Sequence, residues 1–121
     1  MLKARSFAAL AVFGWIVCFG IPAFGADFVT GMDDVPLMGG LEPLPGKGLS
    51  FATARGRLVE SYARTGRNAG EVLDFYRQTL PQLGWSPSGN QAFVRDSEQL
   101  EIHFTAGPRG LIVRFSLSPR N

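Results

Sequence analysis

The chain has 121 residues, with 12 Lys and Arg against 10 Asp and Glu, one histidine and one cysteine. Setting aside Lys3 and Arg5 leaves ten cations against ten acids, so the rest of the chain lacks the basic excess that nucleic-acid phosphates demand. Cys18 and His103 stand alone, which excludes a disulfide framework and a zinc site built from Cys and His.

Residues 1–25 have the three parts of a secretory signal peptide. Lys3 and Arg5 form a charged start, Phe7 opens an apolar run, and Gly20, Pro22, Ala23 and Gly25 supply the break and the small residues before cleavage. The expected bond is the one after Gly25. A second reading keeps residues 6–26 as a membrane anchor, since about 20 apolar residues suffice to span. Val17, directly before Cys18, argues against a lipidated cysteine. The remainder of the chain, about 95 residues, fits one small domain, and such a chain buries only about 60–65% of its unfolded surface.

Residues 26–48 are rich in Gly and Pro, which disfavours regular structure and predicts an extended arm. Val35, Leu37, Met38 and Leu41 are too apolar for a free linker, so the arm is expected to lie partly against the domain. It carries Asp27, Asp33, Asp34 and Glu42 against Lys47, whereas residues 49–121 hold nine Arg and six acids. A solvated surface of mixed sign is the expectation from that asymmetry, and an acidic arm docked on a basic body is the alternative.

The domain is predicted over residues 49–121. Residues 50–53 read as a short strand carrying Phe51. Residues 57–63 read as a second, with Leu58 and Tyr62 on one face and Val59 and Ala63 on the other, a pattern suited to a strand covered on both sides. Asn68 with Glu71 three residues on is a capping-box signature. From there Val72, Phe75, Tyr76, Leu80 and Leu83 fall within an arc of about 140° on a helix. Pro81 conflicts with a regular last turn and predicts a kink or a tightening, and Gly84 is placed as a left-handed cap. Phe75 and Tyr76 are expected in the core, with the Tyr76 hydroxyl at the rim. Trp85 is expected to begin the next strand and pack over the helix end.

The last third alternates with period two. Residues 91–95 place Phe93 and Arg95 on one side. Leu100, Ile102 and Phe104 point inward while Glu101, His103 and Thr105 point outward, and Leu111, Val113, Phe115 and Leu117 form the next inward set. The fold class is therefore α+β: one amphipathic helix packed on a small, mainly antiparallel sheet, in the order β-α-β-β-β, after an N-terminal signal peptide. Pairing Phe104 with Leu111 through a turn at 106–109 keeps the inward faces together and sets Glu101 opposite Arg114.

The run EVLDFYRQTLPQLGW, residues 71–85, resembles a pattern in small bacterial envelope proteins that carry a domain of unknown function. Those show a Val-x-x-Phe-Tyr helix and then Leu-Gly-Trp, after a leader or lipid anchor. DVPLMGGLEPL and GRLVE upstream are similar to segments of such proteins, so the likeness spans residues 34–117. It implies a fold and an envelope location, and no reaction.

No cofactor or metal is expected. His103 lies outward beside Glu101 and Thr105, no serine sits in a strained nucleophile turn, and the TGRNAGE stretch lacks the lysine of a phosphate loop. The expected function is an exported, non-enzymatic binding or accessory protein of the cell envelope, with an envelope component or protein as partner and no nucleic acid. Alternatives are an anchored subunit of an envelope complex and a small ligand-binding protein or hydrolase with a pocket between helix and sheet. The candidate interaction residues are Arg57, Arg64, Arg67, Arg77, His103 and Trp85, with Arg55 close by.

Overall fold

The computed structural model describes residues 27–120. The expected signal peptide lies outside them. Among the described residues the chain is α+β and mainly strand, with one α-helix.

The arm is regular, contrary to expectation. Phe28–Val29 (β1) and Met32–Pro36 (β2) form an antiparallel hairpin, and Leu41–Pro43 (β3) pairs with residues 63–65 of the main sheet. Its Gly and Pro residues sit at the turns and strand ends, so they limit the strands without preventing them. Val29, Met32, Val35, Met38 and Leu41 are all buried, and they join the same core as the helix and sheet. The apolar content of the arm outweighed its turn-forming composition because the hairpin reaches a greasy surface.

Leu49–Thr53 (β4) and Gly56–Thr65 (β5) make the next hairpin, succeeded by the helix Ala69–Thr79 (α1). The capping box forms as expected: the Asn68 side chain accepts from the Glu71 N–H at 2.9 Å, and Glu71 accepts from the Asn68 N–H at 3.1 Å. Pro81 converts the end of the helix into a 3-10 turn, Leu80–Leu83, which Gly84 closes at φ 94°. Ser86–Pro87 (β6), Ala92–Arg95 (β7), Glu98–Gly107 (β8) and Gly110–Pro119 (β9) complete the chain.

The main sheet has the order β3-β5-β9-β8-β7-β6, entirely antiparallel, with β4 also pairing with β5. β3 and β4 share one edge of β5 end to end, β3 against residues 63–65 and β4 against residues 56–60. The inner face carries Val59, Ala63, Phe93, Leu100, Ile102, Val113, Phe115 and Leu117, all buried. The helix presents Val72, Tyr76 and Leu80 to it, and the β1–β2 hairpin shares the cover. A methyl group at Gly31, in the hairpin turn, would lie 3.0 Å from Val59 Cγ1. Arm and helix therefore cover the same face of β5, and the expectation of cover on both sides fails: Leu58 and Tyr62 belong to an open outer face.

Three further expectations are corrected. Phe104 pairs with Val113, Ala106 with Leu111 and Gly107 with Gly110, so the β8–β9 register is two residues from the expected one. Pro108 and Arg109 alone make the turn, because Gly110 at φ 129° tightens it. The shift of two leaves the inward faces intact and moves Ser116 opposite Glu101 and His103 opposite Arg114. Tyr76, not Phe75, is the wholly enclosed aromatic: Tyr76 is 0% exposed and Phe75 is half-buried. The Tyr76 hydroxyl does not reach a rim. It donates to the Pro36 carbonyl at 2.7 Å and accepts from the Met38 N–H at 3.1 Å. Phe75 and Phe115 pack edge-on against the Tyr76 ring, at centroid separations of 4.8 and 5.5 Å.

Candidate functional site

Trp85 is 1% exposed and so unavailable as a surface residue. It sits under the guanidinium of Arg95, 4.6 Å from its ring centroid. Arg95 also donates to the Leu83 carbonyl at 3.0 Å and pairs with Asp34. Asp34 lies 3.6 Å from Arg57, which bonds Glu98 at 2.9 Å. The Glu98 hydrogen bond is the main cause holding the Arg57 guanidinium above its ordinary value. These groups form a charged clasp at one end of the core, tying the hairpin to β5, β7 and β8. The clasp encloses Asp34 Oδ1 and the Trp85 indole N–H without a hydrogen-bond partner among the described residues.

The remaining candidates are scattered. Arg64 lies 3.6 Å from Glu42 on the outer sheet face. Arg67 lies 3.7 Å from Glu71 at the start of the helix. Arg77 lies 3.8 Å from Asp74 and bonds the Asn90 carbonyl at 3.1 Å. His103 is on the outer face. The structure therefore assembles no single surface from Arg57, Arg64, Arg67, Arg77, His103 and Trp85.

The outer face of the sheet does assemble something else. Strand pairing aligns its side chains in rows across the strands, rows lying about 7 Å apart because they are two residues apart. One row joins Leu49, Glu60, Ser116 and Glu101, and the next joins Tyr62, Arg114 and His103. Arg114 donates to Glu60 at 3.0 Å, so its carboxylate partner is Glu60 and not Glu101. Glu101 accepts from Gln99 at 2.8 Å and from the His103 Nε2–H at 3.1 Å. Beyond these rows lies an apolar end with Phe51 opposite Leu58, and a basic end with Arg64 opposite Ile112. Phe51 is 52% exposed and Leu49 48%. The face thus grades from apolar through a mixed polar network to basic.

Among the described residues, Arg114 is bonded to Glu60 and His103 turns its Nε2 to Glu101, with no hydrogen bond to Ser116. Among the described residues, no group of three or more His, Cys, Asp and Glu side chains is placed to hold a metal ion. No family model, curated protein or solved structure matches this chain.

Sequence reasoning missed Leu49 and Phe51 as surface groups, and Asp34 with Arg95 as a clasp. A short strand over residues 50–53 carrying Phe51 is legible in the sequence; Leu49 is added to it by the pairing with Glu60. That the strand lies at an edge comes only from the pairing of β5 with β9 on its other side.

Proposed function

We propose that the protein is a non-catalytic binding or accessory protein, exported to the cell envelope, that engages its partner through the outer sheet face and the β4 edge. The observation that carries this reading is the allocation of the two faces. The inner face and the helix stripe are used up in packing, with Val72, Tyr76 and Leu80 set against Phe115 and its neighbours. The outer face leaves a graded set of aromatic, carboxylate and cationic groups open to contact. Export is supported by the parts of a signal peptide in residues 1–25 and by the resemblance of residues 34–117 to small envelope proteins.

Two experiments test the reading. Mass spectrometry of the protein purified from its own cells should give a chain beginning near Ala26; a mass that includes residues 1–25 would refute cleavage and favour an anchored form. Crosslinking in intact cells through a photoreactive group placed at Phe51 or His103 should trap a discrete partner. The same group at Asp74 on the helix surface serves as control, and equal trapping there would count against the outer face.

A further inference from the structure

We propose, building on the binding reading above, that β4 is a docking edge for an extended peptide segment of a partner protein, one that pairs as an added antiparallel strand and carries acidic residues on its C-terminal side. Four features of the structure converge on this edge.

The first is the edge itself. All five residues of β4 are exposed, and the strand pairs with β5 alone. Backbone groups alternate in an antiparallel ladder. Thr53 and Gly56 close the two-residue turn at Ala54 and Arg55, so every second residue from there, Ala52 and Ser50, turns its N–H and C=O outward. Edges of this kind are commonly blunted by proline, lysine or a bulge. The LSFAT sequence has none of these, and its pairing with β5 runs without a break from Leu49 to Thr53.

The second is a pair of receptacles for alternate side chains. On the outer face stand the exposed Leu49 and Phe51. On the inner side a groove of about 290 Å³ opens between the start of β4, residues 59–61 of β5 and the β1–β2 turn; Thr30, Gly31, Leu44, Ser50 and Ser61 are among its lining. An added strand sends its side chains to the two faces in turn, so one set meets Leu49 and Phe51 and the other enters the groove.

The third is charge. A hollow of about 310 Å³ near the start of β4 is lined by Lys47, Arg64 and Arg109 together with Leu44, Pro108 and Ile112. Arg64 has the exposed Glu42 as neighbour, and neither Lys47 nor Arg109 makes an ion pair or hydrogen bond among the described residues. An antiparallel partner brings its C-terminal side to this end. Acidic residues there, or a terminal carboxylate, complete the match, a combination of strand addition and carboxylate capture that peptide recognition uses widely.

The fourth disfavours a second copy of the chain. The register that pairs all five β4 residues with a copy of β4 places Phe51 opposite Phe51 and therefore Lys47 opposite Arg55. Like charges then face each other at both ends of the ladder, which is destabilising. The Lys47 end favours an acidic partner instead.

The test is selection from a library of random peptides with free C-termini, and then binding of the synthesised consensus peptide. We expect apolar or β-branched residues at every second position, then Asp or Glu toward the C-terminus. Ala52→Pro removes an outward N–H at a position where an edge strand tolerates proline. It should weaken the consensus peptide about tenfold or more, the size expected for losing one main-chain hydrogen bond and the contacts it aligns. The double variant Lys47→Glu/Arg109→Glu should weaken it similarly while leaving thermal stability unchanged. If Ala52→Pro does not fold, Phe51→Lys at the exposed position takes its place. Selection of no consensus, or a consensus peptide that binds both edge variants as well as the parent, overturns the proposal. A dimer in sedimentation that the edge variant dissolves also overturns it, by giving the edge to a second copy. If the partner trapped in cells is still trapped by the Ala52→Pro protein, the binding reading stands and the β4 assignment falls.

Discussion

Replacing Tyr76 by Phe removes one oxygen and nothing else, and the structure makes that oxygen the junction between helix and arm. The hydroxyl donates to the Pro36 carbonyl and accepts from the Met38 N–H, with the ring fully enclosed. Deleting it abolishes two hydrogen bonds, each worth a net of about 0.5–1.5 kcal/mol, and leaves a buried N–H and a buried C=O without that partner. The expected loss is about 2–3 kcal/mol, which for a domain of this size lowers Tm by roughly 10–20 °C. Urea unfolding of the parent and the variant measures the first quantity, and calorimetry the second. Amide hydrogen exchange gives the location: the Met38 N–H should exchange much faster in Tyr76→Phe, while amides of β8 and β9 change only with global stability. A change below about 0.5 kcal/mol, or an unaltered Met38 exchange rate, would refute the idea that this hydroxyl pins the arm.

The same group predicts a pH dependence. Burial is the main cause raising the Tyr76 phenol above its ordinary value of 10.0. The stability it contributes is therefore fully present below about pH 10 and is lost as pH climbs from there toward the folded value, because only the unfolded chain then gives up the proton. Tyr76→Phe should flatten that alkaline fall in urea titrations run between neutral and strongly alkaline pH. A double-mutant cycle on Glu60 and Arg114 should give a coupling of about 0.2–1 kcal/mol, and one on Glu101 and Arg114 close to zero; the opposite ranking would reinstate the register that the sequence suggested. Arg95→Met should cost about 2 kcal/mol through the lost Asp34 pair, Leu83 bond and ring contact, and should shift the fluorescence of the enclosed Trp85; an unchanged spectrum would count against that contact. Gly48→Ala drives a methyl carbon into the Glu60 carbonyl oxygen, so the 44–48 loop must move off β5. The resulting loss of about 1–3 kcal/mol should appear in unfolding experiments, with faster exchange confined to β4.

The sequence was most informative where a local rule had no rival. Asn68 with Glu71, Pro81 and Gly84 set the start, the tightening and the end of the helix, since each acts within a turn or two of itself. Period two in residues 100–105 and 111–118 assigned both faces of the long strands, because alternation is a property of one strand. The arm is the contrary case. Its Gly and Pro content reads as irregular, and only the apolar surface of β5 and the helix makes hairpin formation worthwhile for Val29, Met32 and Val35. Tyr76 took the enclosed position ahead of Phe75 for the same reason: a buried phenol needs partners, and Pro36 and Met38 bring them from forty residues or so upstream. Even the register between β8 and β9 escaped, since a shift of two residues leaves every inward face as it was and only the turn geometry tells the two apart. What the sequence alone determined was the helix with its start and end, and the kind and facing of the long C-terminal strands. What only the tertiary structure decided was which elements share a face, which charges meet and which strand is left at an edge, because those depend on contacts between segments that no local pattern records.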